Sequence, residues 1–89
     1  IFFMEINKLI SIVKEKLQKN VAIEHLIVED KTFLHEKHLS HESGKYHLKL
    51  TIHSTELKKQ NKIVATKKIY KILSSELKLY IHSIQILII

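Results

Sequence analysis

Four histidines crowd the stretch HEKHLSHESGKYH, residues 35–47, at His35, His38, His41 and His47; three more stand at His25, His53 and His82. Imidazole binds metals and carries protons near neutral pH. The chain has no cysteine, so disulfides, thiol catalysis and thiolate metal sites of its own are excluded. The spacing of His35, His38 and His41 would align three imidazoles along one side only within a helix, and zinc would then be conceivable. Gly44 and the neighbouring acids favour an irregular loop instead. Such a loop reads as a polar surface segment, or as one half of a site that a partner completes.

Charge supplies a second pattern. All 15 basic residues are lysine, and nine acids leave a net charge of +6. An AT-rich coding sequence produces this bias, since lysine, isoleucine and asparagine codons rise together. A positive field also speeds association with acidic partners. Readers of nucleic acid favour arginine for bidentate contacts, and there is none. The sharpest cluster is Lys58, Lys59, Lys62, Lys67, Lys68 and Lys71. It is either a solvated helix face or a docking surface for an acidic partner, phosphate or glutathione. No Ser-His-Asp spacing, glycine-rich phosphate loop or paired-carboxylate pattern points to catalysis.

The elements that must position these residues follow from periodicity. At 89 residues the chain is expected to be one domain, residues 1–89, with residues 1–4 disordered or an upstream remnant. A domain this small buries only about 60% of the surface its unfolded chain exposes. Residues 5–19 have helical spacing, with Ile6, Leu9, Ile10, Val13 and Leu17 on one face. Residues 22–29 are β-branched and apolar, a strand. Residues 30–45 are polar, a loop. In residues 46–53, Tyr46, Leu48, Leu50 and Ile52 alternate with His47, Lys49, Thr51 and His53. This predicts a strand with one core face and one wet face, His47 and His53 being surface or partner-contact residues and His25 structural. STELKKQN is a connector with one helical turn. Residues 62–77 form a second helix, with Ile63, Thr66, Ile69, Tyr70, Leu73 and Leu77 toward the core, and residues 80–88 a last strand. The α-β-β-α-β order predicts an α/β (α+β) fold of K-homology-like architecture. Its three-stranded mixed sheet has both helices on one face, the second strand central, and the last strand parallel to it after a helical crossover. No apolar run approaches the roughly 20 residues of a membrane span.

Several residues at fixed spacing make the chain resemble the BolA family. EHLIVED followed by KTFLH resembles the first strand and the acidic, histidine-containing loop after it. YHLKLTIHS resembles the family's S-H-F-K-V-x-(V/I)-V-S strand through His47, Lys49 and Ser54. IYKILSSEL resembles the V-Y-x-x-L-x-x-E-L helix through Tyr70, Leu73, Glu76 and Leu77. IHSI resembles the I-H-A-L that opens the last strand and puts His82 on its histidine. The family's Arg-His-Arg falls on Ala65, Thr66 and Lys67, its Phe-x-Gly on Leu57, Lys58 and Lys59, and its Thr-Pro-Glu-Glu tail has no counterpart. The missing histidine and basic helix start weigh against a DNA-binding role.

The resemblance implies a non-enzymatic partner of monothiol glutaredoxins, monomeric when isolated, in iron-sulfur and iron homeostasis. Glutaredoxin and glutathione would supply thiolates to a two-iron, two-sulfur (2Fe-2S) cluster. This chain would add His82 and a loop histidine: His35 by family spacing, with His38 and His41 as alternatives. Imidazole replaces thiolate on one iron of Rieske centres, so the chemistry is sound. Without the resemblance His82 is a polar residue at a strand end. Lys58, Lys59, Lys62, Lys67 and Lys68 are the expected docking residues. The alternative is a nucleic-acid-binding transcriptional regulator with a K-homology-like fold, although no G-x-x-G loop is present to clamp a backbone. A cytoplasmic setting is the default expectation.

Overall fold

The structure, a computed structural model, describes residues 4–32 and 45–89. Helix α1 spans Ile6–Asn20, and Glu5 caps it by accepting hydrogen bonds from the Asn7 and Lys8 N–H groups at 3.0 and 3.1 Å. Its Leu9, Val13 and Leu17 are fully buried, with Ile6 packed beside them. The apolar stripe legible at a 3.6-residue period is the stripe that meets the sheet. Met4 also belongs to the fold: it packs on the core, and its carbonyl accepts a 2.7 Å hydrogen bond from Tyr46 Oη. Met4 is thus ordered against the core, and residues 1–3 lie outside the described residues.

Strands β1, His25–Asp30, and β2, Tyr46–His53, pair antiparallel, and β3, Ile81–Ile88, pairs parallel with β2. β2 is the centre of the order β1-β2-β3. Leu48, Leu50 and Ile52 of β2 face the helices and are buried, together with Leu26 and Ile81 from the flanking strands. Opposite them, Ile27, Thr51 and Leu87 form one row across the open face, and Glu29, Lys49 and Gln85 the next.

Between the second and third strands the chain makes three short helices: α2, Thr55–Lys58; α3, Lys62–Ile72; and α4, Ser74–Leu79. The single helix predicted for residues 62–77 is thus two, broken at Leu73. Ser74 and Ser75, weaker helix formers than leucine or lysine, follow the break. The face also differs from prediction. Ala65, Ile69 and Leu73 are buried, whereas Ile63 is 65% and Tyr70 41% exposed. A stripe at steps of four through a small alanine joins the core; the larger Ile63 and Tyr70 fall outside it. The break then turns Glu76 inward, where Lys16 of α1 meets it at 2.7 Å.

Ser54 ties the end of β2 to the start of α2. Its buried hydroxyl donates to the Ala22 carbonyl at 2.7 Å and accepts from the Leu57 N–H at 3.1 Å. Glu24 accepts from the Thr55 N–H and hydroxyl, and Glu56 accepts from the Ala22 N–H at 2.8 Å. The segment joining α1 to β1 is thereby fastened to the helix that follows β2. Among the described residues no helix is long and apolar enough to cross a membrane.

Candidate functional site

The β2–β3 register contains one irregularity. Tyr46 lies opposite Ile81, but His47 lies opposite Ser83. One step on β2 spans two on β3, so His82 is the extra residue of a β-bulge. Bulges re-aim side chains that a regular strand would send to the other face. Here Ile81 is buried, and His82 and Ser83 are both exposed, which breaks the in-out alternation. The consequence is a histidine pair: the rings of His47 and His82 lie 5.0 Å apart between centroids, tilted by 55°.

His47 is held from several sides. Its Nδ1 shares a 2.6 Å hydrogen bond with Ser83 Oγ, the donor being set by the imidazole tautomer. Its N–H donates to Thr32 Oγ1 at 3.1 Å, and its carbonyl accepts from the Lys31 N–H at 2.7 Å. Thr32 Oγ1 in turn donates to Asp30, which also accepts from the Thr32 N–H at 3.0 Å. A chain of hydrogen bonds thus runs from the end of β1 through His47 to Ser83 on β3. His47 is only 6% exposed, against the expectation that it sits on a wet face; His53, on the same strand face, is exposed as expected. The extension of β1 through Lys31 and Thr32, with Ser83 and His82 opposite, closes around His47 and not around His53. A hollow of about 330 Å³ opens here, lined by Lys31, His47, Lys49, Ser83 and Gln85. Its walls carry lysine ammoniums, of which Lys31 is held by Glu29 at 3.1 Å.

His35, His38 and His41 lie outside the described residues. The stems of their segment are placed, however. Thr32, at one end, is bonded to His47, and Lys45, at the other, adjoins Tyr46 at the start of β2. Both stems therefore emerge at the end of the sheet that carries His47 and His82. Among the described residues no three metal-ligating side chains cluster. Here the donor set among the described residues is one accessible imidazole, His82, with a second ring packed on it. Such a set fits part of a shared metal site and not a closed one. Sequence reasoning read His47 as a motif match and a surface or partner-contact residue, without its burial or its pairing with His82, and it missed Ser83. The only signal of the pairing was a histidine and a histidine-serine pair on strands expected to be neighbours.

Lys58, Lys59, Lys62, Lys67 and Lys68 do not join this site. Lys58 and Lys59 close α2 and Lys62 opens α3, where β2 and β3 end, whereas His82 sits where they begin. All are exposed except Lys68, which is half-buried with its ammonium 3.9 Å from Glu56. The turn between α2 and α3 is Lys59, Gln60 and Asn61, with no glycine.

A three-stranded mixed sheet with helices on one face and a histidine near the start of the parallel edge strand defines a small α+β domain. The chain belongs to the BolA-like protein family, whose model matches residues 17–89. It is similar to the structure of BolA1 from Arabidopsis thaliana, at 26% identity and a TM-score of 0.73, over 88% of this chain and 86% of that one. It is also similar to the BolA domain of SufE1 from Arabidopsis thaliana, at 29% identity and a TM-score of 0.75, again over 88% and 86%. A bol-like protein from Babesia bovis shares the fold, at 16% identity and a TM-score of 0.69, over 89% of this chain and 80% of that one. No curated protein sequence matches the chain.

Proposed function

We propose that this BolA-like domain is a non-enzymatic adaptor that partners a monothiol glutaredoxin carrying glutathione, and lends imidazole to a 2Fe-2S cluster that is their shared cargo. The observation that carries the reading is the bulge at His82. It presents an exposed imidazole beside His47 at the end of the sheet where both stems of the His35–His41 segment emerge. The family membership and the similarity to a BolA domain joined to SufE1 support the same direction. His82 is the ligand presented from a rigid strand. His35 is the first choice for the second, with His38 and His41 as alternatives. A chain without thiolates holds such a cargo only while a partner supplies the sulfur ligands. Lys31 and Lys49 line the adjoining hollow and attract an acidic partner there.

The test is a titration with cluster-loaded monothiol glutaredoxin, read by visible absorbance and circular dichroism. The wild-type chain changes the spectrum; His82→Ala abolishes the change while binding of cluster-free glutaredoxin persists. His35→Ala weakens it. An unaltered spectral change with His82→Ala overturns the reading. Steeply salt-dependent binding of DNA, without any spectral change, would favour a nucleic-acid-binding regulator instead.

A further inference from the structure

The far end of β3 presents a different opportunity. The Ile89 N–H donates to the Ile52 carbonyl at 2.9 Å, and the Ile89 carbonyl accepts from the Ser54 N–H at 3.3 Å. In a parallel ladder, residues bonded to one neighbour alternate with residues whose N–H and C=O face the other side. Ser83, Gln85 and Leu87 share the orientation of Ile89. The backbone groups of Ile84, Ile86 and Ile88 therefore point away from β2, along the free edge of the sheet. Among the described residues nothing bonds to them. Among the described residues this edge is unpaired along Ile84, Ile86 and Ile88, which makes it a template for another strand.

Beside this edge runs a groove of about 250 Å³ between β3 and the α2–α3 turn, lined by Leu57, Lys58, Gln60, Lys62, Ala65 and Ile86 among others. Its apolar floor suits side chains of an added strand. Gln60 Oε1 is buried and makes no hydrogen bond, so an acceptor waits beside the edge. Lys58 and Lys62 are exposed and in no ion pair among the described residues. The nearby acid, Glu56, is already engaged by the Ala22 N–H and lies 3.9 Å from Lys68.

We infer that the free edge of β3 and the lysine-rimmed groove beside it dock an extended acidic segment of a protein partner, added as a fourth strand. Backbone pairing would supply affinity and the lysines would select for acids flanking the strand. A second copy of this chain is a poor occupant, because it brings the same lysines and a net charge of +6. Nucleic acid fits poorly as well. The groove has no aromatic side chain on which bases stack, the chain has no arginine, and the outward carbonyls of β3 repel phosphates while matching the N–H groups of a strand. The inference does not rest on the cluster-sharing reading, since the groove and His82 occupy opposite ends of β3.

The experiment uses the isotope-labelled chain and a synthetic peptide of alternating valine and threonine with glutamates at both ends. Amide exchange is followed residue by residue. The peptide should protect the amides of Ile84, Ile86 and Ile88 and leave Gln85 and Leu87, already bonded to β2, unchanged. Lys58→Glu with Lys62→Glu should weaken binding about tenfold or more, since both side chains are exposed and the reversal repels the glutamates. His82→Ala should bind the peptide as the wild type does, which keeps a failure here separate from a failure of cluster sharing. The inference is overturned by unchanged exchange at the three isoleucines, by equal affinity for a lysine-flanked peptide, or by affinity indifferent to the two charge reversals. It is equally overturned if a single-stranded oligonucleotide, or self-association of the chain, protects this edge in place of the peptide.

Discussion

Lys16 and Glu76 stand 60 residues apart in sequence, yet the lysine ammonium donates to both carboxylate oxygens, at 3.0 and 2.7 Å. Glu76 is buried at 6% exposure, so the pair pins α4 beneath α1. Lys16→Met should destabilise the fold by about 2–3 kcal/mol, below the full cost of orphaning a buried charge because the lysine side chain is itself 39% exposed. Adding Glu76→Leu should recover most of that loss. Urea denaturation of both variants checks this; a double variant no more stable than the single one would mean that the carboxylate is held by something other than Lys16.

Ser54 has a second kind of leverage. Removing its hydroxyl uncaps α2, leaves the buried Leu57 N–H without its partner and takes the serine donor from the Ala22 carbonyl. Ser54→Ala should cost about 2–3 kcal/mol, a cap plus an unmet hydrogen bond. A shift in the denaturation midpoint worth under about 0.5 kcal/mol would show that water takes over both roles. The serine is one of the positions shared with the family strand motif, and its role is structural.

Glu24 makes stability depend on acid. The Thr55 hydroxyl and then the Thr55 N–H hold its carboxyl below the usual carboxylate range. Between the ordinary value of about 4.3 and the lowered folded value, the unfolded chain binds more protons than the folded one. The stabilisation is therefore complete above about 4.3 and is lost as pH falls through the folded value. Comparing Glu24→Gln with the wild type over a pH series should show a stability gap near neutrality that closes in acid. A gap of constant size at every pH would mean that the charge contributes nothing.

Ser83 should act on the site through His47. Ser83→Ala removes the hydrogen bond at Nδ1 of the ring that packs on His82. Because Ser83 is exposed, stability should fall by no more than about 1 kcal/mol. Affinity for cluster-loaded glutaredoxin should fall several-fold, and the ring resonances of His82 should shift in the free protein. Shifted resonances with unaltered affinity would separate the pair from ligand positioning.

Periodic features were legible from residue order alone. The stripe Leu9, Val13 and Leu17 and the alternation of Leu48, Leu50 and Ile52 each state a face, and both are buried as read. On α3 the large apolar side chains of Ile63 and Tyr70 outweighed the small Ala65 in the reading, yet it is Ala65 that lies in the core. The break at Leu73 came without proline or glycine, and the serine pair after it is a weak signal. His82 could be placed at the start of β3, but a bulge belongs to two strands at once, and one strand cannot display it. Burial of His47 depends on that same register. The choice among His35, His38 and His41 falls in residues 33–44, outside the described residues.

β3 also works as a ruler. Beyond the bulge its pairing with β2 is regular from Ser83 to Ile88, and from His82 to Leu87 it covers roughly 17 Å at about 3.3 Å per residue. A partner that engages both the histidine end and the lysine groove must carry its metal-binding face and its acidic segment at that separation, or on a tether that reaches it. Where the tether matches the span, the first contact raises the local concentration of the second to about the millimolar range, and two weak contacts become one durable complex. Where it does not, the same two sites sort partners into separate classes.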